Sequence, residues 1–220
     1  MKKIAIDGPA GAGKSTIAKE VSKRLGFIYV DTGALYRAIG FYALTKGADT
    51  KSENEVSALL SEIEVKLAFE NGEQCVYLNG ENVNSKIRTG EVSMAASNVS
   101  ALPSVRAFLF DLQRNIADEN NVVMDGRDIG TVVLPDADVK IFLTASPEAR
   151  AKRRVLQMRE KGIEEDYEKV LSEVKQRDYN DSHREIAPLK PTDESIIVDT
   201  TSLTLQESID LLYKEASERI

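Results

Sequence analysis

Short apolar runs and helical periodicities take turns along the first fifty residues. Lys3–Asp7 is a short apolar run, stopped by Gly8-Pro9-Ala10-Gly11-Ala12-Gly13. A helical pattern follows, with Ile17, Val21 and Leu25 on one face and Gly26 placed as its C-cap. Phe27–Val30 reads as a second strand, and Leu35–Leu44 as a helix closed by Gly47. Strand, helix, strand, helix at this spacing predicts a parallel α/β sheet.

The period changes after about Ile63. Glu64–Glu70 alternates through Val65, Leu67 and Phe69, and Asn71-Gly72 follows; Gln74–Leu78 alternates again, and Asn79-Gly80 follows. Asn-Gly between alternating runs is a hairpin signal, because both turn residues must tolerate positive φ. Residues of about 63–90 therefore read as an antiparallel meander, the core of an insert with helices on both sides. The α/β pattern then resumes. A helix is expected from Val105 to Asp118 and a strand over Val122–Asp125, ending in Gly126-Arg127-Asp128. Another strand covers Val139–Leu143. Pro147–Lys161 reads as a helix with Pro in its first turn and Gly162 after its end. Asp166–Asn180 is helical, Pro188 and Pro191 mark a loop, Ser195–Asp199 is a last strand and Leu205–Arg219 a last helix. This makes five core strands with no internal repeat, low-complexity tract or linker.

The 220 residues suit one domain with an inserted subdomain, and 42% hydrophobic against 30% charged residues is too apolar for a disordered chain. The net charge of −7 argues against a general nucleic-acid binder. The arginines are skewed: nine of 13 fall between Arg106 and Arg184, which points to a local anion site. The one cysteine, Cys75, excludes an intrachain disulfide and a cysteine zinc cluster, so a reduced intracellular setting is the default. Met1–Asp7 begins like a signal peptide, but Asp7 interrupts the apolar stretch at once. No run reaches the ~20 apolar residues of a membrane span. A soluble cytoplasmic protein is expected, with no clear sign of oligomerisation.

Gly8-Pro9-Ala10-Gly11-Ala12-Gly13-Lys14-Ser15 fits G-x-x-x-x-G-K-[ST] between a readable strand and a readable helix. Small residues let backbone N–H groups wrap phosphate oxygens, and the next helix aims its positive N-terminus at the same anion. Lys14 would reach the β- and γ-phosphates and Ser15 would hold Mg²⁺. Residues Gly8–Thr16 are thus the expected site for a nucleoside triphosphate, with ATP the default. The loop does not say what receives the phosphoryl group: water makes an ATPase or switch, a small molecule makes a kinase. The Asn-Lys-x-Asp tetrapeptide of guanine-nucleotide switches does not occur.

In an open parallel sheet ligands bind at the carboxyl ends of strands. Gly8–Ser15, Asp31–Arg37 and Asp125–Asp128 should therefore share a crevice, where Arg37 and Arg127 suit a second anion. Downstream, Arg150, Lys152, Arg153, Arg154 and Arg159 lie on one helix, and Arg177, Asp178, Asp181 and Arg184 near the end of the next. A charge run on a helix is usually a solvated face. The residues alone leave that reading of Arg153 and Arg154 open beside a mobile basic lid over the nucleotides. His183 reads as a surface residue and Cys75 as a small packed one.

Taken together, Ile6–Ser15, Asp31-Thr32-Gly33-Ala34-Leu35-Tyr36-Arg37, Ile87-Arg88 and Asp125–Val133 resemble the bacterial cytidylate kinases, nucleoside monophosphate kinases of the P-loop class. Lys140–Leu143, Arg177-Asp178 with Asp181 and Arg184, and Ala187-Pro188-Leu189 extend the likeness over essentially the whole chain. The resemblance implies a P-loop NTPase fold: a five-stranded parallel sheet flanked by helices, plus a monophosphate-binding insert of about 35–100 with a small antiparallel sheet and a short helical lid of about 150–165. It implies transfer of the γ-phosphoryl of ATP, with Mg²⁺, to CMP or dCMP. It assigns Ser97, Arg106 and Asp128 to the cytosine edge, and Arg37, Arg127 and Arg184 to the acceptor phosphate. Thr32 and Tyr36 would line the pocket, Arg177 and Asp181 would meet the sugar, and Arg153 and Arg154 would belong to the lid. Lys14, Arg127, Arg153, Arg154 and Arg184 would carry the chemistry, with Asp125 near the metal through water. ATP and CMP or dCMP are the implied partners of a monomer that uses no nucleic acid and no membrane.

Overall fold

Apolar residues at Ile4-Ala5-Ile6 and Val122-Val123-Met124 have no solvent exposure at all, which marks strands covered on both faces. The computed structural model describes residues 1–70, 72–160 and 162–220. Its main sheet is parallel, with strands β1 (Lys3–Asp7), β2 (Ile28–Asp31), β6 (Val122–Gly126), β7 (Val139–Thr144) and β8 (Ile196–Asp199) in the order β2-β6-β1-β7-β8. Strand β1 pairs on one side with β6, where Asp7 lies opposite Gly126. On its other side it pairs with β7, where Asp7 lies opposite Phe142. The carboxyl ends of β1 and β6 thus deliver the residues after Asp7 and Gly126 to one edge.

The chain divides into two compact units. The first, Met1–Ile28 with Asn121–Ile220, contains α1 (Lys14–Leu25), α6 (Pro147–Glu160), α7 (Tyr167–His183) and α8 (Leu205–Ser217). It also holds one π-helical turn, Ile129–Val133. Gly26 ends α1 at φ 70°, the left-handed cap that the sequence predicts. Asp166 caps α7 through Lys169 N, and Thr204 with Glu207 forms a capping box on α8. Ala151, Val155, Val170 and Val174 close a small apolar seam between α6 and α7.

The second unit, Tyr29–Asn120, contains α2 (Thr32–Thr45), α3 (Glu53–Leu59), α4 (Gly90–Val99) and α5 (Pro103–Glu119). The antiparallel sheet β3 (Val65–Glu70), β4 (Glu73–Leu78) and β5 (Glu81–Asn82) completes it. Val65 faces Leu78 and Glu70 faces Glu73, which is the expected meander register. Asn79 (φ 50°) and Gly80 (φ 82°) make the second turn in the left-handed region that Asn-Gly favours. Of the two expected Asn-Gly turns, Asn71 lies outside the described residues, as does Lys161 at the expected end of α6. A Cβ on Gly40 would come within 2.9 Å of the Ala96 amide nitrogen, so glycine is what lets α2 and α4 pack backbone to backbone.

Several boundaries differ from expectation. Helix α2 begins at Thr32 rather than Leu35, because the Asp31 carboxylate accepts from Ala34 N at 3.0 Å and caps it there. Helix α7 runs to His183 instead of Asn180, and α8 stops at Ser217 instead of Arg219. Among the described residues no helix is long and apolar enough to cross a membrane.

Candidate active site

The loop after β1 is built by steric demand. Gly8 sits at φ 152°, and a Cβ there would lie 1.9 Å from the Leu143 carbonyl oxygen. Gly13 stands before α1 at φ 93°, and the first turn of α1 carries no acidic side chain to compete for an anion. Lys14 is buried and donates from Nζ to the Pro9 carbonyl at 2.9 Å. Burial first, and then the nearby Arg127, push its pKa down to about 7, despite Asp125. Ser15 Oγ donates to Asp125 Oδ2 at 2.9 Å, joining the loop to the end of β6.

The hydroxyl of Ser15 and the carboxylate of Asp125 are hard oxygen donors of the kind Mg²⁺ takes. No group of three or more His, Cys, Asp or Glu side chains that could hold a metal occurs among the described residues.

Two arginines near this loop are held by carboxylates. Arg127 Nε donates to Asp181 Oδ2 at 2.8 Å, and Arg184 Nη2 to Asp128 Oδ1 at 3.2 Å. Burial works to raise the Asp181 pKa, but Arg127, Arg177 and Arg184 together hold it below the usual carboxylate range. The structure thus brings together Lys14, Ser15 and Asp125, and likewise Arg127, Arg177, Asp181 and Arg184 with Asp128. Arg153 points elsewhere, donating from Nη1 to Thr200 Oγ1 at 3.2 Å and from Nη2 to the Thr200 carbonyl at 2.5 Å. Arg154 is exposed on α6.

In the second unit, Arg37 Nη2 donates to Asp31 Oδ2 at 2.6 Å, with Thr32 and Tyr36 buried on the same helix. Ser97 on α4 and Arg106 on α5 are linked through Ser100 in the bonds of this corner: Ser100 Oγ donates to the Ser97 carbonyl, and Arg106 Nη1 to the Ser100 carbonyl at 3.3 Å.

Four residues without an assigned role hold these groups in place. Asp7 accepts from Ile129 N at 2.8 Å and Gly130 N at 2.7 Å, pinning the turn that follows Asp128. Burial pushes its pKa up to about 6, against those two amides. Arg150 is 2% exposed and forks onto both carboxylate oxygens of Asp178, while also donating to the Ala10 carbonyl at 3.0 Å and the Ala145 carbonyl at 2.9 Å. Asp31 is the fourth. Its signal was present, since an aspartate just ahead of a helical run is an N-cap. For Arg150, inside a basic run, no local signal existed.

A family model described as cytidylate kinase matches residues 4–218. The chain belongs to the cytidylate kinase family. A cytidylate kinase of Caldicellulosiruptor saccharolyticus is 50% identical over 97% of both chains. One of Lactobacillus johnsonii is 50% identical over 95% of this chain and 91% of its own. The solved structure of an uncharacterised protein from Eubacterium ventriosum aligns over the whole of both chains with a TM-score of 0.52 at 13% identity, a likeness of fold alone. As a cytidylate kinase family member the chain is a kinase, an ATP-dependent phosphotransferase. The open choice between hydrolysis and transfer is thereby resolved toward transfer.

Proposed function

We propose that this chain transfers the γ-phosphoryl group of ATP to CMP or dCMP, giving ADP with CDP or dCDP, as a soluble cytoplasmic monomer. The observation that supports it most is the family match over residues 4–218. It stands beside a phosphate loop whose lysine, serine and neighbouring aspartate are all in contact range of their partners. Residues Gly8–Thr16 take the triphosphate, with backbone amides around its oxygens. Mg²⁺ bound with ATP, held by Ser15 and through water by Asp125, would offset charge on the β- and γ-phosphates.

Lys14 leaves the Pro9 carbonyl for the phosphate oxygens and regains full charge beside them. Arg37, Arg127 and Arg184 hold the acceptor phosphate, Thr32 and Tyr36 line its pocket, and Arg177 and Asp181 meet the sugar. Because that phosphate is already an anion, no general base is needed, and transfer is direct and in line with no covalent enzyme intermediate. The arginines, with Arg154 of a lid of about 150–165 and with Arg153 of that lid once it leaves Thr200, stabilise charge that spreads over the transferring oxygens. Ser97, Arg106 and Asp128 read the cytosine edge: a hydroxyl and a carboxylate accept from the exocyclic amine, and the arginine donates to O2 and N3. Uracil puts a carbonyl where the amine was and leaves Asp128 unmatched, which rejects it. Residues of about 35–100 serve as the monophosphate-binding insert.

Coupled ADP release against CMP, dCMP, UMP and AMP tests this reading. Turnover is expected with CMP and dCMP above the others. Preference for UMP or AMP would defeat the base-reading roles, and acceptor-independent hydrolysis would defeat the kinase reading itself.

A further inference from the structure

Strand β4 carries a side chain that performs a backbone task. Gln74 Oε1 accepts from Asp31 N at 2.8 Å, and Gln74 Nε2 donates to the Asp31 carbonyl at 3.2 Å. One amide thus satisfies both main-chain groups of Asp31, as a neighbouring strand would. Gln74 is itself fixed. It sits opposite Phe69 in the meander, and its carbonyl accepts from Asn84 Nδ2 at 2.8 Å.

Asp31 passes that order on. It is 6% exposed, caps α2 with one oxygen and receives Arg37 on the other. The mostly exposed Arg88 guanidinium stands 3.7 Å from the same oxygen. Arg37 Nε is buried without a hydrogen-bond partner among the described residues, so Asp31 carries the orientation of that guanidinium. A Cβ on Gly33 would come within 3.1 Å of Asp31 Oδ1 and 3.2 Å of Arg37 Nη1, so glycine at this position makes room for the pair.

We propose that Gln74 is a positioning residue for the acceptor phosphate: it fixes Asp31, whose carboxylate aims the Arg37 guanidinium. The proposal rests on the reading that Arg37 holds that phosphate. It gives the antiparallel insert a task of its own, since a strand of the meander sets the direction of an acceptor-binding arginine.

The variant Gln74→Met keeps the side-chain length and removes both hydrogen bonds. We expect the KM for CMP to rise about five- to tenfold, the effect of losing one or two bonds that orient a charged group. The KM for ATP and kcat should each stay within about twofold, because no ATP contact is altered. Gln74→Glu retains the acceptor for Asp31 N but has no donor for its carbonyl, and should raise the KM for CMP less. In an Arg37→Ala background, Gln74→Met should have no further effect on the KM for CMP, because residues acting through one another are not additive. Four results would overturn the proposal. One is an unchanged KM for CMP in Gln74→Met while Arg37→Ala raises it; the acceptor reading then survives alone. Another is an equal rise in both backgrounds, or an equal rise in the KM for ATP. The last is an unchanged KM for CMP in Arg37→Ala, which removes the acceptor reading and the proposal together.

Discussion

Replacing Asp178 with alanine strips the carboxylate from a buried guanidinium. Arg150 is 2% exposed, and two of its nitrogens bond the two Asp178 oxygens. After the change Arg150 keeps, among the described residues, the carbonyls of Ala10 and Ala145. Breaking a wholly buried ion pair costs about 3–5 kcal/mol, since one charge is left uncompensated. Here the Asp178 side chain is 27% exposed, so water can enter where it stood. The two carbonyls also continue to solvate the charge, which brings the expected loss to about 2–3 kcal/mol. For a chain of this size that corresponds to a fall of about 5–10 °C in Tm. The assay is thermal and urea unfolding of the purified chain, with ATP binding measured beside it. ATP should bind more weakly, because Arg150 also grips the phosphate loop through Ala10. The double variant Arg150→Met with Asp178→Leu should regain part of the stability, as a packed apolar pair replaces a buried ionic one. A fall in Tm of less than about 2 °C in Asp178→Ala would refute the reasoning, because it would mean that the buried fork contributes little.

Other outcomes follow from the same geometry. Gly8→Ala should abolish ATP binding, since its Cβ would lie 1.9 Å from the Leu143 carbonyl oxygen; normal ATP affinity in that variant contradicts the loop geometry. Lys14→Ala should lower turnover by about 10²–10³-fold while CMP still binds, and near-normal turnover would refute the role of Lys14. With its pKa depressed to about 7, Lys14 is largely neutral above that pH in the free protein. A bound triphosphate favours the charged amine, so ATP binding should take up a proton at about pH 8 and weaken as pH rises further. Titration calorimetry in two buffers of different ionisation enthalpy reads this directly, and zero proton uptake would contradict it. Arg106→Met should raise the KM for CMP and erode the preference over UMP; unchanged discrimination would place base reading elsewhere.

The phosphate loop was legible because its chemistry constrains residue type at every step: small residues for the wrap, then a lysine and a hydroxyl. The second meander turn was legible for a similar reason, as Asn79 and Gly80 occupy a backbone region that few residues accept. Strand order was not readable from periodicity, because β1 pairs with β6 and β7, both more than a hundred residues away in sequence. Nor was the turn Ile129–Val133, which is too short to show a period and is held by a distant carboxylate, Asp7. Arg150 sat in a basic run that reads as a solvated face, yet it is buried, because its partners come from other segments. Gln74 follows the meander pattern without a hint that its amide reaches Asp31. The net charge of −7 likewise says little about the site, where Lys14, Arg127, Arg177 and Arg184 are clustered and balanced by carboxylates.

The central claim is that phosphate passes from ATP to a cytidine monophosphate. Incubating the chain with ATP labelled at the γ-phosphate, with and without CMP, follows that phosphate directly. The account predicts that the label appears in CDP when CMP is present and that little is released as inorganic phosphate in either case. Label released as inorganic phosphate at the same rate with or without CMP, and none in CDP, would contradict it.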